Sequence, residues 1–378
     1  MNYAKKTVFF TYNLTYLEDN SGLPTYCRML LSNLQPSKNF VVINIDVNNS
    51  GEEKLYYKNH EVINLKAPQF LIGIEEGLKE KIKNKLEEIN KERSIDQIIV
   101  HDFLFEVYIT NKFLKENNIK KITFIHLLNR GLFNTLIKQD LFKNNKELKY
   151  MININYMESI TIKTSDAILT NSEFTKKDLL RNYNDVINTD EIISLKLGTD
   201  KDKFSFKPSF KGKTMYFGRL EDQKGLVYLF KDIEENKDLY KENPLIVAGS
   251  GNLKKEIKNY EEQGLVNYIG DIKKKDIIEN LKEVQFCLFP SVYEPWGFAL
   301  NEAMAMGKVV IVQSGESGLT EQVEDGVNGF HFDFKNNSAY KFIEELKERK
   351  IDFESIRKKA RENALSFKDH LKEIKKLL

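Results

Sequence analysis

The sequence predicts an α/β protein built on parallel sheets, and three observations carry that prediction. Short β-branched or aromatic runs alternate with helical patterns along the whole chain. The runs are continuously apolar, as strands buried on both faces need not alternate polar with apolar. A length of 378 residues exceeds one ordinary core and suggests two domains, or one large one.

In chain order the expected strands are TVFFTY, FVVINID, QIIVHD, KITFIH and AILTNS, then TMYFGR, PLIVAGSG, VNYIGD, VQFCLFP and KVVIVQ. Ten strands suit two sheets better than one. The first strand, Thr7 to Tyr12, leads through LEDNSGLPTYCRMLLSNL into a helix, with Pro24 suited to its first turn and Cys27, Leu30, Leu31 and Leu34 forming one apolar stripe. The segment from Gly77 to Ser94 reads as a charged surface helix with Leu78, Ile82, Leu86 and Ile89 along one side, a basic membrane-surface helix being the alternative. Helical periodicity stops between Lys203 and Gly212, where lysines gather and Pro208 appears. The domains are therefore expected at 1–203 and from 204 onward. Near the end, Val284 to Pro290 reads as an interior strand and Phe298 to Met306 as a helix rich in Ala, Leu and Met that Gly307 ends.

Composition is that of a soluble globular protein, 41% hydrophobic and 30% charged. The net charge of +2 gives no whole-chain case for a nucleic-acid partner. Cys27 and Cys287 have no metal-ligand neighbours in the sequence, which suggests a reducing compartment, the cytoplasm by default. A signal peptide is not expected, and no stretch approaches the roughly 20 apolar residues that span a bilayer, so any membrane contact is expected to be peripheral.

In open parallel sheets, ligands collect at the carboxyl ends of strands, and the distinctive residues fall there. Gly22 stands at a helix start, where bare backbone can approach a phosphate; a plain strand-to-helix turn would look the same. In MYFGRLEDQKGL, Arg219 and Lys224 follow a strand five positions apart, and together they could bind one pyrophosphate; the plain alternative is two solvated cations. In SVYEPWGFALNEAMAMGKVV no Ser, Thr, Asp or Asn immediately precedes Phe298. The amides around Gly297, Phe298 and Ala299 therefore lack an obvious side-chain acceptor and could hold phosphate or sugar oxygens. Glu294 and Glu302, on either side, could accept hydrogen bonds from sugar hydroxyls.

The run from Glu294 to Glu302 resembles the E-x7-E signature of family 4 retaining glycosyltransferases. NEAMAMGKVVI, GLTEQVEDGVNGF, GRLEDQKG, VAGSG and KLGTDKDKF are similar to the segments around it in that family, in the family's order, over most of residues 194–333. The N-terminal half matches more loosely, through Gly22, His126 and ILTNSEFTKKDL. The resemblance implies the GT-B fold, two Rossmann-like domains facing a cleft. Residues 204–356 would bind a nucleotide sugar, residues 1–203 most of the acceptor, and the segment 357–378, a helix from about Arg357 onward, would cross back to the first domain. It further implies that Arg219 and Lys224 bind the diphosphate and that Glu302 binds the ribose hydroxyls. Glu294 would contact the donor sugar beside the amides of Gly297, Phe298, Ala299 and Leu300, His126 would lie near the reacting sugar, and Gly22 would lie near phosphate. The backbone of Gly270, Asp271 and Ile272 would lie near the base. No cofactor beyond the donor and no metal are expected, Asp200-x-Asp202 belonging to the interdomain loop.

Two other readings of the carboxylates and fold compete: a sugar-nucleotide epimerase, and a binding subunit without catalysis. A glycosidase-like acid and nucleophile pair is disfavoured because a nucleotide leaving group needs stabilising more than it needs a strong acid. Pocket shape and backbone contacts set the sugar and base; a UDP-sugar is the expected donor of a hexose or N-acetylhexosamine, with GDP-mannose the alternative. It leaves glycan, lipid-linked and small-molecule acceptors open. His60, His101, His331 and His370 receive no role, and Trp296 either packs or shapes the donor pocket.

Overall fold

The computed structural model describes residues 5–12, 14, 22–46, 54–66, 76–103, 111–141, 145–204, 212–271 and 274–378. The chain divides into two compact units. The first comprises Met1–Phe133, Asn144–Lys196 and His370–Leu378, and the second Asn134–Lys143 and Leu197–Asp369.

The first unit holds strands β1 (Thr7–Tyr12), β2 (Phe40–Asp46), β3 (Lys54–Tyr57), β4 (His60–Lys66), β5 (Gln97–His101), β6 (Lys120–Ile125), β7 (Ala167–Thr170) and β8 (Ile192–Ser194). They form one sheet in the order β3-β4-β2-β1-β5-β6-β7-β8. All pairings are parallel except β3 with β4. The second unit holds β9 (Lys213–Phe217), β10 (Leu245–Ala248), β11 (Val266–Tyr268), β12 (Val284–Phe289), β13 (Val309–Gln313) and β14 (Phe330–Phe332). Its sheet runs β11-β10-β9-β12-β13-β14, entirely parallel.

All ten expected strands are present, and the second sheet shows why they read as unbroken apolar runs. Along β12, Phe286 and Leu288 enter one core cluster while Cys287 and Phe289 enter the other. Val309 and Ile311 of β13 likewise part from Val310 and Val312. Successive side chains point to opposite faces, and here both faces are covered. The helix Glu76–Arg93 packs Leu78, Ile82, Leu86 and Ile89 into the core of the first sheet. The stripe that would have suited a membrane surface is thus covered by the protein itself.

Among the described residues, four strands were not expected. β3 and β4 are joined by Lys58 and Asn59, both at positive φ (50° and 67°), the two-residue hairpin turn that usually advertises itself with Asn-Gly. β8 and β14 are three-residue edge strands, too short to show a pattern. The helix expected from Arg357 onward is instead two, Phe353–Asn363 and Phe367–Leu377. They part where Thr199 pairs with Ser366, its amide donating to Leu365 O and its carbonyl accepting from Phe367 N.

Candidate active site

In the second unit the chain leaves β9 for β10 and β11 on one side, then returns to β12 and β13 on the other. The strand order therefore reverses between β9 and β12, the position where open α/β sheets bind ligands. The two loops that emerge there are 218–225 and 290–297, the stretches that carry Arg219, Lys224 and Glu294.

These loops are locked together by backbone. Val292 N–H donates to Gln223 O at 3.0 Å. Gly225 has φ +67°, and a Cβ there would stand 2.0 Å from Pro290 O. We expect Gly225→Ala to destabilise the fold by about 3 kcal/mol, from the left-handed backbone and the clash together, and to displace Lys224. Chemical denaturation checks it; unchanged stability would mean that the loop contact is loose.

Lys224 Nζ and Glu294 Oε2 form an ion pair, with side chains only 14% and 13% exposed. Arg219 is placed differently. Half exposed, it pairs with Glu221 at 2.9 Å, and its carbonyl accepts the Tyr216 hydroxyl at 2.6 Å. The structure therefore brings Lys224 to Glu294 and leaves Arg219 on its own carboxylate.

The helix Phe298–Ala305 begins at Gly297, at φ 87° and ψ 73°, with no side-chain cap. A Cβ at Gly297 would meet Leu319 Cδ2 at 2.5 Å. Phe298 and Ala299 are half-buried, Leu300 is buried, and Glu302 is half-buried within the helix. Trp296 is 2% exposed and packs inside, its indole Nε1 having no partner among the described residues.

Two residues missed in the sequence hold this turn. Gln322 Nε2 donates to Trp296 O and Gly318 O, and its Oε1 accepts from Asn301 Nδ2 at 3.1 Å. Asn301 Oδ1 accepts from Thr199 N, and Gly318 N donates to Glu294 O at 2.8 Å. Both side chains lie in stretches already singled out, NEAMAMGKVVI and GLTEQVEDGVNGF, but nothing in one sequence marks them as partners.

Beside these loops, the turns after β9, β10 and β11 form a row. Gly218 N donates to Ala248 O, Leu220 N to Ser250 O, and Gly249 N to Gly270 O at 2.8 Å. Asp271 accepts from the Ser250 hydroxyl. Ile272 lies outside the described residues. Asp200 and Asp202 each pair with a lysine, Lys203 and Lys368.

In the first unit the strand order reverses between β1 and β5. Gly22 opens the helix Gly22–Asn33, exposed, with no heavy atom of the described residues near the place of a Cβ. His126 directly follows β6. Its backbone N–H donates to Asp102 Oδ1 at 2.6 Å and its carbonyl accepts from Asn171 Nδ2 at 2.8 Å. Its ring stacks on Phe124, and Nε2 lies 3.0 Å from His101 Nδ1. Burial, with His101 and His370 nearby, holds the His126 imidazole well below its usual pKa. Burial also lowers His101 to about 3 and His370 to about 4, and raises Asp102 to about 7 against the pull of the His126 and Leu127 amides.

Two predominantly parallel, doubly wound sheets, each with polar groups at its switch point, give the GT-B architecture of glycosyltransferases. Residues 199–365 match the family described as "Glycosyl transferases group 1". An uncharacterized glycosyltransferase of Methanocaldococcus jannaschii is 35% identical over 120 residues, 30% of each chain. Among solved structures, sucrose-phosphate synthase from Thermosynechococcus elongatus superposes with a TM-score of 0.77 at 15% identity, over 98% of this chain and 97% of that one. Anabaena HepE in complex with UDP and glucose gives 0.67 at 15% identity over 99% of both. The chain spans between 30% and 50% of the length of the first curated relatives it matches. Among the described residues, no helix is long and apolar enough to cross a membrane.

Proposed function

We propose that the protein is a retaining glycosyltransferase of family 4. It transfers a hexose or N-acetylhexosamine from a nucleotide sugar to a glycan, lipid-linked or small-molecule acceptor. One observation carries the proposal: the Lys224–Glu294 ion pair joins the two loops at the switch point of the second sheet, beside a helix start whose cap supplies no side-chain acceptor. A cation and a helix start without a side-chain cap suit a diphosphate, and a carboxylate suits sugar hydroxyls.

In this reading the second unit binds the donor. Lys224 and Arg219 hold the diphosphate, Arg219 turning from Glu221. Glu302 accepts from the ribose. Glu294, with the amides of Gly297, Phe298, Ala299 and Leu300, meets the donor sugar, and the backbone around Gly270, Asp271 and Ile272 meets the base. The first unit binds the acceptor, with Gly22 near phosphate and His126 near the reacting sugar, and any membrane contact is peripheral. UDP-sugars are the proposed donors and GDP-mannose the alternative; Anabaena HepE, solved with UDP and glucose, shares the fold.

The chemistry is front-face transfer. The departing phosphate takes the acceptor proton as the new glycosidic bond forms, and Arg219, Lys224 and the helix amides stabilise its negative charge. These groups provide positive potential without a divalent ion, so activity is expected to persist in excess chelator. Loss of activity, with rescue by manganese, would count against that part.

The test is incubation with UDP-sugars and GDP-mannose, with and without candidate acceptors, followed by analysis of the released nucleotide and the product anomer. Acceptor-dependent release with the donor's anomeric configuration kept is expected. Epimerised donor, or binding without turnover of any pair, would overturn the proposal.

A further inference from the structure

His101 was given no role by its sequence context, yet it is fully buried and its Nδ1 lies 3.0 Å from His126 Nε2. One of the two nitrogens must carry the shared proton. The rest of the His101 ring decides which. Its Nε2 is buried with no hydrogen-bond partner among the described residues, and Phe9 and Tyr26 pack against the ring edge-on. If His126 donated, a neutral His101 would carry its proton on that stranded Nε2. A buried, unpaired N–H is rarer and costlier than an unpaired lone pair. Both rings are neutral at ordinary pH, since burial lowers each of them.

We propose that His101 is a positioning residue whose Nδ1–H donates to His126 Nε2, so that His126 meets its ligand through Nδ1 as a hydrogen-bond donor. With Nε2 occupied as acceptor, a neutral His126 carries its proton on Nδ1. The ligand atom it suits is an acceptor oxygen: a sugar hydroxyl, ring or phosphate oxygen. His126 in this state cannot take a proton from the acceptor hydroxyl, in keeping with the departing phosphate as the base. Asp102 and Asn171 fix the His126 backbone on both sides, leaving the ring tautomer as the variable that His101 sets. His370 shows the same logic nearby. Its Nδ1 can only donate to the Lys196 carbonyl, which leaves Nε2 to accept the Tyr26 hydroxyl at 3.0 Å.

The consequence for catalysis rests on the reading of His126 as a residue near the reacting sugar; the tautomer does not. The test therefore has two arms on the full chain. Nitrogen-15 NMR of the ligand-free protein should show His126 protonated at Nδ1 and bare at Nε2; the reverse would overturn the proposal whatever the protein's activity. In kinetics, His101→Phe should lower kcat about tenfold or more at unchanged nucleoside diphosphate affinity. His101→Asn, whose amide can donate from the place of Nδ1, should restore most of it. Equal kcat in the two variants would overturn the positioning role. If the wild type transfers no sugar, the proposed activity fails while the NMR arm still decides the tautomer, as it does if His101→Phe does not fold.

Discussion

In Lys224→Ala, affinity for the nucleoside diphosphate falls about thirtyfold and the unfolding free energy drops by about 3 kcal/mol. The first loss is that of one charge-assisted contact to phosphate, worth about 2 kcal/mol. The second arises because Glu294, with a side chain only 13% exposed, is left as a charge without its partner. Arg219→Ala should show the first loss without the second, since Arg219 and Glu221 are 50% and 36% exposed and such pairs contribute little to stability. Pairing Lys224→Ala with Glu294→Gln should restore most of the stability and none of the nucleotide affinity. Calorimetry and chemical denaturation of the four proteins decide this. Equal stability of the Lys224 and Arg219 variants would show that the ion pair does not hold the loops.

Glu294→Gln is expected to lower kcat about a thousandfold, roughly 4 kcal/mol, with modest change in nucleoside diphosphate affinity. In the proposed function this carboxylate meets the donor sugar, so the loss should appear in the transition state. Glu302→Gln, within the helix Phe298–Ala305, should instead weaken nucleotide binding about tenfold through a lost ribose contact. Steady-state kinetics beside nucleotide titrations separate the two. Equal effects of both variants on free nucleotide affinity would contradict the division of roles.

The fold was legible where burial on both faces produced apolar runs of four or more residues, as in VQFCLF and VVIVQ. It was illegible at β3 and β4, whose turn lacks glycine and whose KLYY and HEVINLK mix charges with apolar residues. The break near Ala364 was missed because it depends on Thr199, a pairing across more than 160 residues. In the candidate site, Glu294, Glu302, Arg219 and Lys224 stood out by spacing. That Lys224 rests on Glu294 while Arg219 pairs with Glu221 could not be read, because the first pair follows from the contact between two loops 70 residues apart. His101 and Gln322 were invisible for the same reason: each touches a neighbour that only the sheet order or the turn brings close.

Nucleoside diphosphate binding at the switch point of the second sheet is decided by calorimetric titration of UDP, and of GDP in parallel, into the full chain and its Arg219→Ala/Lys224→Ala double variant. Saturable binding of one nucleotide per chain to the wild type is expected, weakened about a thousandfold in the folded double variant if two contacts of about 2 kcal/mol each add. Equal affinity of the two proteins for the nucleotide, or no binding of either nucleotide to the wild type, would contradict it.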